Sequence, residues 1–224
     1  MQVADSPYPA YWYGTDLEAA GLRDVRPDIG TYGRYSYDQL PPVPFDLLGG
    51  FEWLEQAPPL ADHIGTEKAA ENPGALTVLR DACRRAGLTL PISFDRYLST
   101  PALWSRVRSC TDCYLDLCPA PVPDPEGTGY LVRFLSDSQS CLFWYLYLRS
   151  SALDHAIVAS PDFYGVELEQ WHDRRPDPKA LVFCAESFEA FMARFWLENE
   201  IWFAGYDEVP LSAAGARYVA AYKP

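Results

Sequence analysis

The chain has 224 residues, of which 49% are hydrophobic and 15% aromatic, enough apolar surface to offset chain entropy and to exclude a mostly disordered polypeptide. Its 18 Lys+Arg against 31 Asp+Glu give a formal charge of −13, which argues against a nucleic-acid binder or a ligand of anionic membranes, both of which need a basic face. The densest apolar run, Cys141 to Leu148, falls far short of the ~20 residues of a membrane-spanning helix.

The opening residues, Met1-Gln2-Val3-Ala4-Asp5-Ser6, have neither a basic n-region nor an apolar h-region, so a cytoplasmic location is expected. Residues 1–74 are rich in Tyr and Pro, including Tyr8, Tyr11, Tyr13, Tyr32, Tyr35, Tyr37 and the run Pro41-Pro42-Val43-Pro44. Proline interrupts regular structure while the aromatic rings demand burial. The expectation is an N-terminal lobe of short elements packed on a main domain over residues 75–224. A short helix around Asp16 to Ala20, ended by Gly21, fits the lobe.

From Asn72 the periodicity sharpens. Pro73, then Leu76, Leu79 and Cys83, predict an amphipathic helix stopped at Gly87. Ile92, Phe94, Tyr97 and Leu98 predict a second, shorter helix, and Thr100-Pro101 starts another turn. Cys113 to Leu117 alternates as a strand does, and Pro119 to Gly129 reads as a surface loop. Tyr130–Leu135, Cys141–Leu148 and His155–Ser160 then predict an antiparallel meander. Leu142, Trp144, Leu146 and Leu148 would face helices, and Phe143, Tyr145 and Tyr147 would face water or a ligand. Phe163–Val166 and Leu181–Cys184 are candidate short strands around a charged loop, Trp171 to Lys179. Ser187 to Phe203 is the clearest helix, with Ser187 as N-cap, an apolar stripe of Phe188, Phe191, Met192, Phe195 and Trp202, and Gly205 as its stop.

The six cysteines read as reduced thiols of a cytoplasmic protein. Cys110-x-x-Cys113 with Cys118 leaves a zinc site open, but a tetrahedral site would need a lone fourth ligand from Cys141, His155 or Cys184. There is no Gly-rich phosphate loop, no G-x-S-x-G elbow and no H-E-x-x-H pair. Glu198 and Glu200 stand two positions apart on a helix, too divergent to converge on one bond, and fit a solvated or partner-facing surface better. Acids concentrate locally at Glu186, Glu189, Glu198, Glu200, Asp207 and Glu208, against the single base Arg194.

The order of these parts resembles a known family. Gly87-Leu88-Thr89-Leu90-Pro91 leading to Phe94, Tyr97 and Leu98, the tryptophan-bearing strand Trp144-Tyr145-Leu146-Tyr147-Leu148, and the closing Ser187-Phe188-Glu189-Ala190-Phe191 together resemble the SUKH superfamily. That superfamily includes Smi/Knr-type fungal cell-wall regulators and bacterial immunity proteins against polymorphic toxins. The match spans roughly residues 75–205, and the usual turn after the Leu-Pro helix is replaced by Ser99-Thr100-Pro101-Ala102-Leu103-Trp104, which marks a divergent member. The resemblance implies an α+β fold, a mixed and largely antiparallel sheet with helices packed on it. It also implies a non-enzymatic protein-binding module with no cofactor, in the immunity setting one that occludes a toxin domain.

Charge and resemblance together point to a basic protein partner. Tyr145, Tyr147, Glu198, Glu200 and Trp202 are its expected contacts, the aromatics as anchors and the carboxylates for steering. The alternatives are a regulatory or scaffold module of the same fold, or a small cytoplasmic enzyme using Cys141 or Cys184 with His155.

Overall fold

The computed structural model describes residues 1, 3–15, 17, 27–67, 72–149, 154–165 and 177–222. In chain order these form β1 (Tyr11–Gly14), β2 (Pro27–Ile29), β3 (Tyr32–Ser36), α1 (Glu52–Glu55), α2 (Asn72–Arg85), α3 (Ile92–Ser99) and α4 (Pro101–Trp104). There follow β4 (Tyr114–Leu115), β5 (Val122–Pro123), β6 (Tyr130–Ser136), β7 (Phe143–Leu148), β8 (His155–Ser160), β9 (Val182–Ala185), α5 (Phe188–Tyr206) and α6 (Ala213–Ala221). The fold is α+β with antiparallel sheets, and no helix among the described residues is long and apolar enough to cross a membrane.

The larger sheet runs β4-β6-β7-β8-β9, with β5 also paired to β6. Its centre is the expected meander: Tyr145 on β7 pairs with Arg133 on β6 and with Val158 on β8. β7 starts at Phe143, because Ser140 adopts a left-handed φ of 58° in the turn that precedes it. β4 is reduced to Tyr114–Leu115, and Phe163 to Gly165 are not in a strand; Val166 lies outside the described residues. All of the proposed helix at Asp16–Ala20 except Leu17, and most of the loop from Trp171, also lie outside them.

The amino-terminal strands form a second sheet, β1-β3-β2, set against the free edge of β9. Phe183 donates its N–H to the Pro9 carbonyl at 2.8 Å, and Ala10 makes an isolated parallel bridge with Phe183. An open strand edge is a template for unwanted pairing. Here the chain's own first residues occupy it.

Strand alternation divides the β7 side chains as expected, but both faces are dry. Trp144, Leu146 and Leu148 enter the main core with Phe94, Phe134, Phe188 and Phe191, joined there by Trp12, Tyr32 and Phe51 from the amino-terminal region. The opposite face, expected to be wet, is a second buried cluster: Phe143, Tyr145 and Tyr147 lie under Tyr8, Tyr164 and Leu181. Tyr8 meets Tyr147 edge to face at 5.6 Å, and Tyr164 meets Tyr145 in the same way at 5.7 Å. The amino-terminal chain and the segment after β8 are what keep water out.

The helices begin and end for legible reasons. At the end of α2, Gly87 takes a φ of +71°, and its N–H and that of Leu88 close onto the carbonyls of Arg84 and Cys83. The Ser187 hydroxyl caps α5 by accepting from the Ala190 N–H at 3.1 Å. α5 passes through Gly205 to Tyr206, since helical glycine is only mildly unfavourable where packing holds the turn. α6 was not anticipated, although Ser212 caps it through the Gly215 N–H at 3.0 Å.

Candidate interaction site

α5 is buried on several sides, so its polar residues are turned to internal work. Glu198 is 2% exposed and accepts from the Trp12 indole N–H and the Tyr218 hydroxyl, both at 2.7 Å. Arg194 donates to the Tyr218 hydroxyl at 2.6 Å, and the Tyr37 hydroxyl donates to Glu186. Glu189 accepts from the backbone N–H groups of Gly49 and Phe51 and from the Trp53 indole. The acid-rich stretch is therefore not one surface patch. Half of it fastens the amino-terminal region and α6 to the helix.

Three of the five expected contact residues are likewise internal. Tyr145 is fully buried, donating to the Asp162 carbonyl at 3.1 Å and accepting from the Tyr164 N–H at 2.9 Å. Tyr147 is fully buried as well, with its hydroxyl 2.7 Å from that of Thr128. With Glu198 they are corrected from surface to interior. A strand covered on both faces and a helix covered by α6 leave them no solvent side. Glu200 and Trp202 stay partly exposed, at the far end of α5.

That end forms one wall of a groove of about 690 Å³, within the ~300–1,000 Å³ of typical binding clefts. The other walls are the 60–67 loop and the 108–114 turn. The loop is held by backbone bonds from Leu60 N to Ser105 O, from Ile64 N to Val107 O and from Leu115 N to Ile64 O, each 2.7–2.8 Å. Gly65 is required there, because a Cβ at that position would fall 2.3 Å from the Trp104 ring. The turn is tied to α5 where the Cys110 N–H donates to Asn199 Oδ1 at 2.7 Å.

Arg108 lines the groove and reaches Glu200 in the adjoining hollow, bonding it through Nε at 2.9 Å and Nη2 at 3.3 Å. Its guanidinium also lies 3.8 Å from the centre of the Phe203 ring. Trp202 and Tyr206, one helical turn apart, stack at 5.3 Å with their planes 10° from parallel. Tyr206 is 72% exposed, whereas the other aromatic rings among the described residues are buried or half-buried. Asp62, Glu67 and Asp112 are exposed around the rim.

The titratable groups here are poorly suited to nucleophilic chemistry. Burial lowers the His63 pKa despite neighbouring Asp62, so the ring is neutral at pH 7. Burial pushes the Cys110 thiol up to about 12 and the Cys113 thiol to about 11, which keeps both protonated. All six cysteines are free. Among the described residues, no three His, Cys, Asp or Glu side chains gather where they could hold a metal ion. Cys184 is fully buried on the core side of β9 with its thiol pushed up by burial, while Cys141 is partly exposed in the β6–β7 turn.

Sequence reasoning reached Glu200 and Trp202 and missed Asp62, Arg108, Phe203 and Tyr206. The spacing of Trp202 and Tyr206 was a signal in the sequence. The approach of Arg108 to Glu200, across 92 positions, was not. Comparisons with protein-family models, curated proteins and solved structures find no match to this chain.

Proposed function

We propose that the chain is a protein-binding module whose groove at the end of α5 receives a partner polypeptide. In the setting implied by the SUKH resemblance it is an immunity-type protein that neutralises a toxin domain by covering it. One observation carries this reading: the partly exposed Trp202–Tyr206 stack, open at Tyr206, beside the Arg108–Glu200 pair. Exposed aromatic rings next to arginine are the usual anchors of protein interfaces, and a rim of carboxylates favours encounter with a basic partner. The protonated thiols of Cys110 and Cys113 favour binding over cysteine chemistry in the same groove.

The test is direct. The purified chain is used as bait for each protein encoded by the flanking genes, alongside the double variant Trp202→Ala/Tyr206→Ala. The wild-type chain should retain one of these products, and the variant should bind it at least about tenfold more weakly while its circular dichroism still shows a folded chain, since Trp202 also packs on the Leu197–Ile201–Tyr218 cluster. If the chain retains no flanking-gene product, or both forms retain it equally, the reading is wrong.

A further inference from the structure

Resting on that docking reading, we infer that the groove takes an arginine side chain of the partner protein. Three features select a planar cation. In the Trp202–Tyr206 stack each ring covers one face of the other, so the aromatic wall it offers to solvent is the outer face of Tyr206. Asp62, Glu67 and Asp112 supply carboxylates around it, and among the described residues no basic side chain lies within ion-pair distance of any of the three. The wall is also the last turn of the 19-residue α5, whose carbonyl end carries the negative pole of the helix.

The edge of the groove already shows a small version of the same recognition. The Arg108 guanidinium lies 3.8 Å over the Phe203 ring while Glu200 takes its N–H groups, a ring and a carboxylate gripping one guanidinium. Trp202 and Tyr206 with the rim acids repeat that chemistry with no guanidinium from the described residues between them. Among the described residues His63 is the one histidine in the lining and is held neutral by burial, and the Arg108 charge is matched by Glu200, so neither repels an incoming cation. Arginine suits the site better than lysine, since its planar fork stacks on rings and meets carboxylates with two parallel bonds.

The probes are capped hexa-arginine, hexa-lysine and hexa-glutamate peptides, titrated at low salt into the full chain. Binding is followed by NMR through the indole N–H resonance of Trp202, identified by its loss in Trp202→Phe. Hexa-arginine should shift that resonance saturably, hexa-lysine should bind at least about threefold more weakly, and hexa-glutamate should leave it in place. The dissociation constant for hexa-arginine should rise about tenfold or more in Asp62→Asn/Glu67→Gln/Asp112→Asn. It should rise less than about twofold in Asp46→Asn/Glu52→Gln/Glu126→Gln, which removes the same charge elsewhere on the surface.

An unmoved Trp202 resonance, equal weakening in the two triple variants, or equal binding of the lysine peptide would each overturn the inference. The docking reading fails separately. If Trp202→Ala/Tyr206→Ala still loses the flanking-gene product while hexa-arginine leaves Trp202 unmoved, docking stands and arginine capture does not.

Discussion

Trp12 donates its indole N–H to Glu198 at 2.7 Å, joining the first strand of the chain to the middle of its longest helix across 186 positions. The Tyr218 hydroxyl completes the arrangement from α6. One buried carboxylate thus holds three distant segments, at the cost of removing its charge from water.

That cost gives a pH dependence of known sign. Burial raises the Glu198 pKa above its ordinary value of 4.5, while Arg194, Tyr218 and Trp12 pull it down; Tyr222 and Cys110 also face it. The folded state therefore holds this proton more tightly than the unfolded state. Its stabilising contribution is complete below the ordinary carboxylate range and is lost as pH rises through the raised folded value. Urea unfolding of wild type and Glu198→Gln from roughly pH 4 to pH 8 isolates the group, and the wild-type chain should lose ground to the variant as pH rises. A difference that stays flat, or moves the other way, contradicts the assignment.

Charge reversal should separate the two carboxylates that sequence alone treats as equivalent. Glu198→Lys places a second cation beside Arg194 in the interior and should destabilise by more than about 4 kcal/mol, enough to abolish cooperative unfolding in a marginal domain. Glu200→Lys loses an ion pair whose side chains are 29% and 30% exposed. It should change stability by only about 1 kcal/mol and slow association with a basic partner at low salt. Comparable losses from both substitutions in denaturant titrations would mean that Glu198 is not enclosed.

Glu189 holds the turn that seats Phe51, a residue with a left-handed φ of 62° and no exposed surface. Glu189→Ala would strip acceptors from the Gly49 and Phe51 N–H groups and from the Trp53 indole. The expected loss is about 3–5 kcal/mol by chemical denaturation, with Glu189→Gln costing roughly half because one acceptor oxygen remains. A loss below about 1 kcal/mol for the alanine variant would place these donors in contact with water.

Thiol labelling reports the same burial pattern. With iodoacetamide under native conditions, Cys141 should react first, being partly exposed. Cys110 should lag, because its thiol is pushed up to about 12, and Cys83, Cys113, Cys118 and Cys184 should stay unlabelled until the chain unfolds. Mass spectrometry of the peptides gives the order, and early labelling of Cys184 would refute the packing of β9.

Local chemistry made much of this architecture readable in advance. Alternation on β7 separates Trp144 and Leu146 from Tyr145 and Tyr147, and the structure puts them in different clusters. The Ser187 cap and the Gly87 stop also follow from neighbours in the chain. What alternation could not say was whether the second face would be wet, because that depends on where Tyr8 and Tyr164 travel.

The sequence by itself determined the α+β class, the meander, three of the helices and the acidic character of the surface, because each depends on residues a few positions apart. Tertiary structure alone decided which acids are internal. Glu198 and Glu200 have the same chemistry and nearly the same address, yet one meets Trp12 and Tyr218 while the other meets Arg108 beside an open groove. Two positions on a helix turn a side chain by about 200°, and only the partners brought in from distant parts of the chain decide which direction is inside.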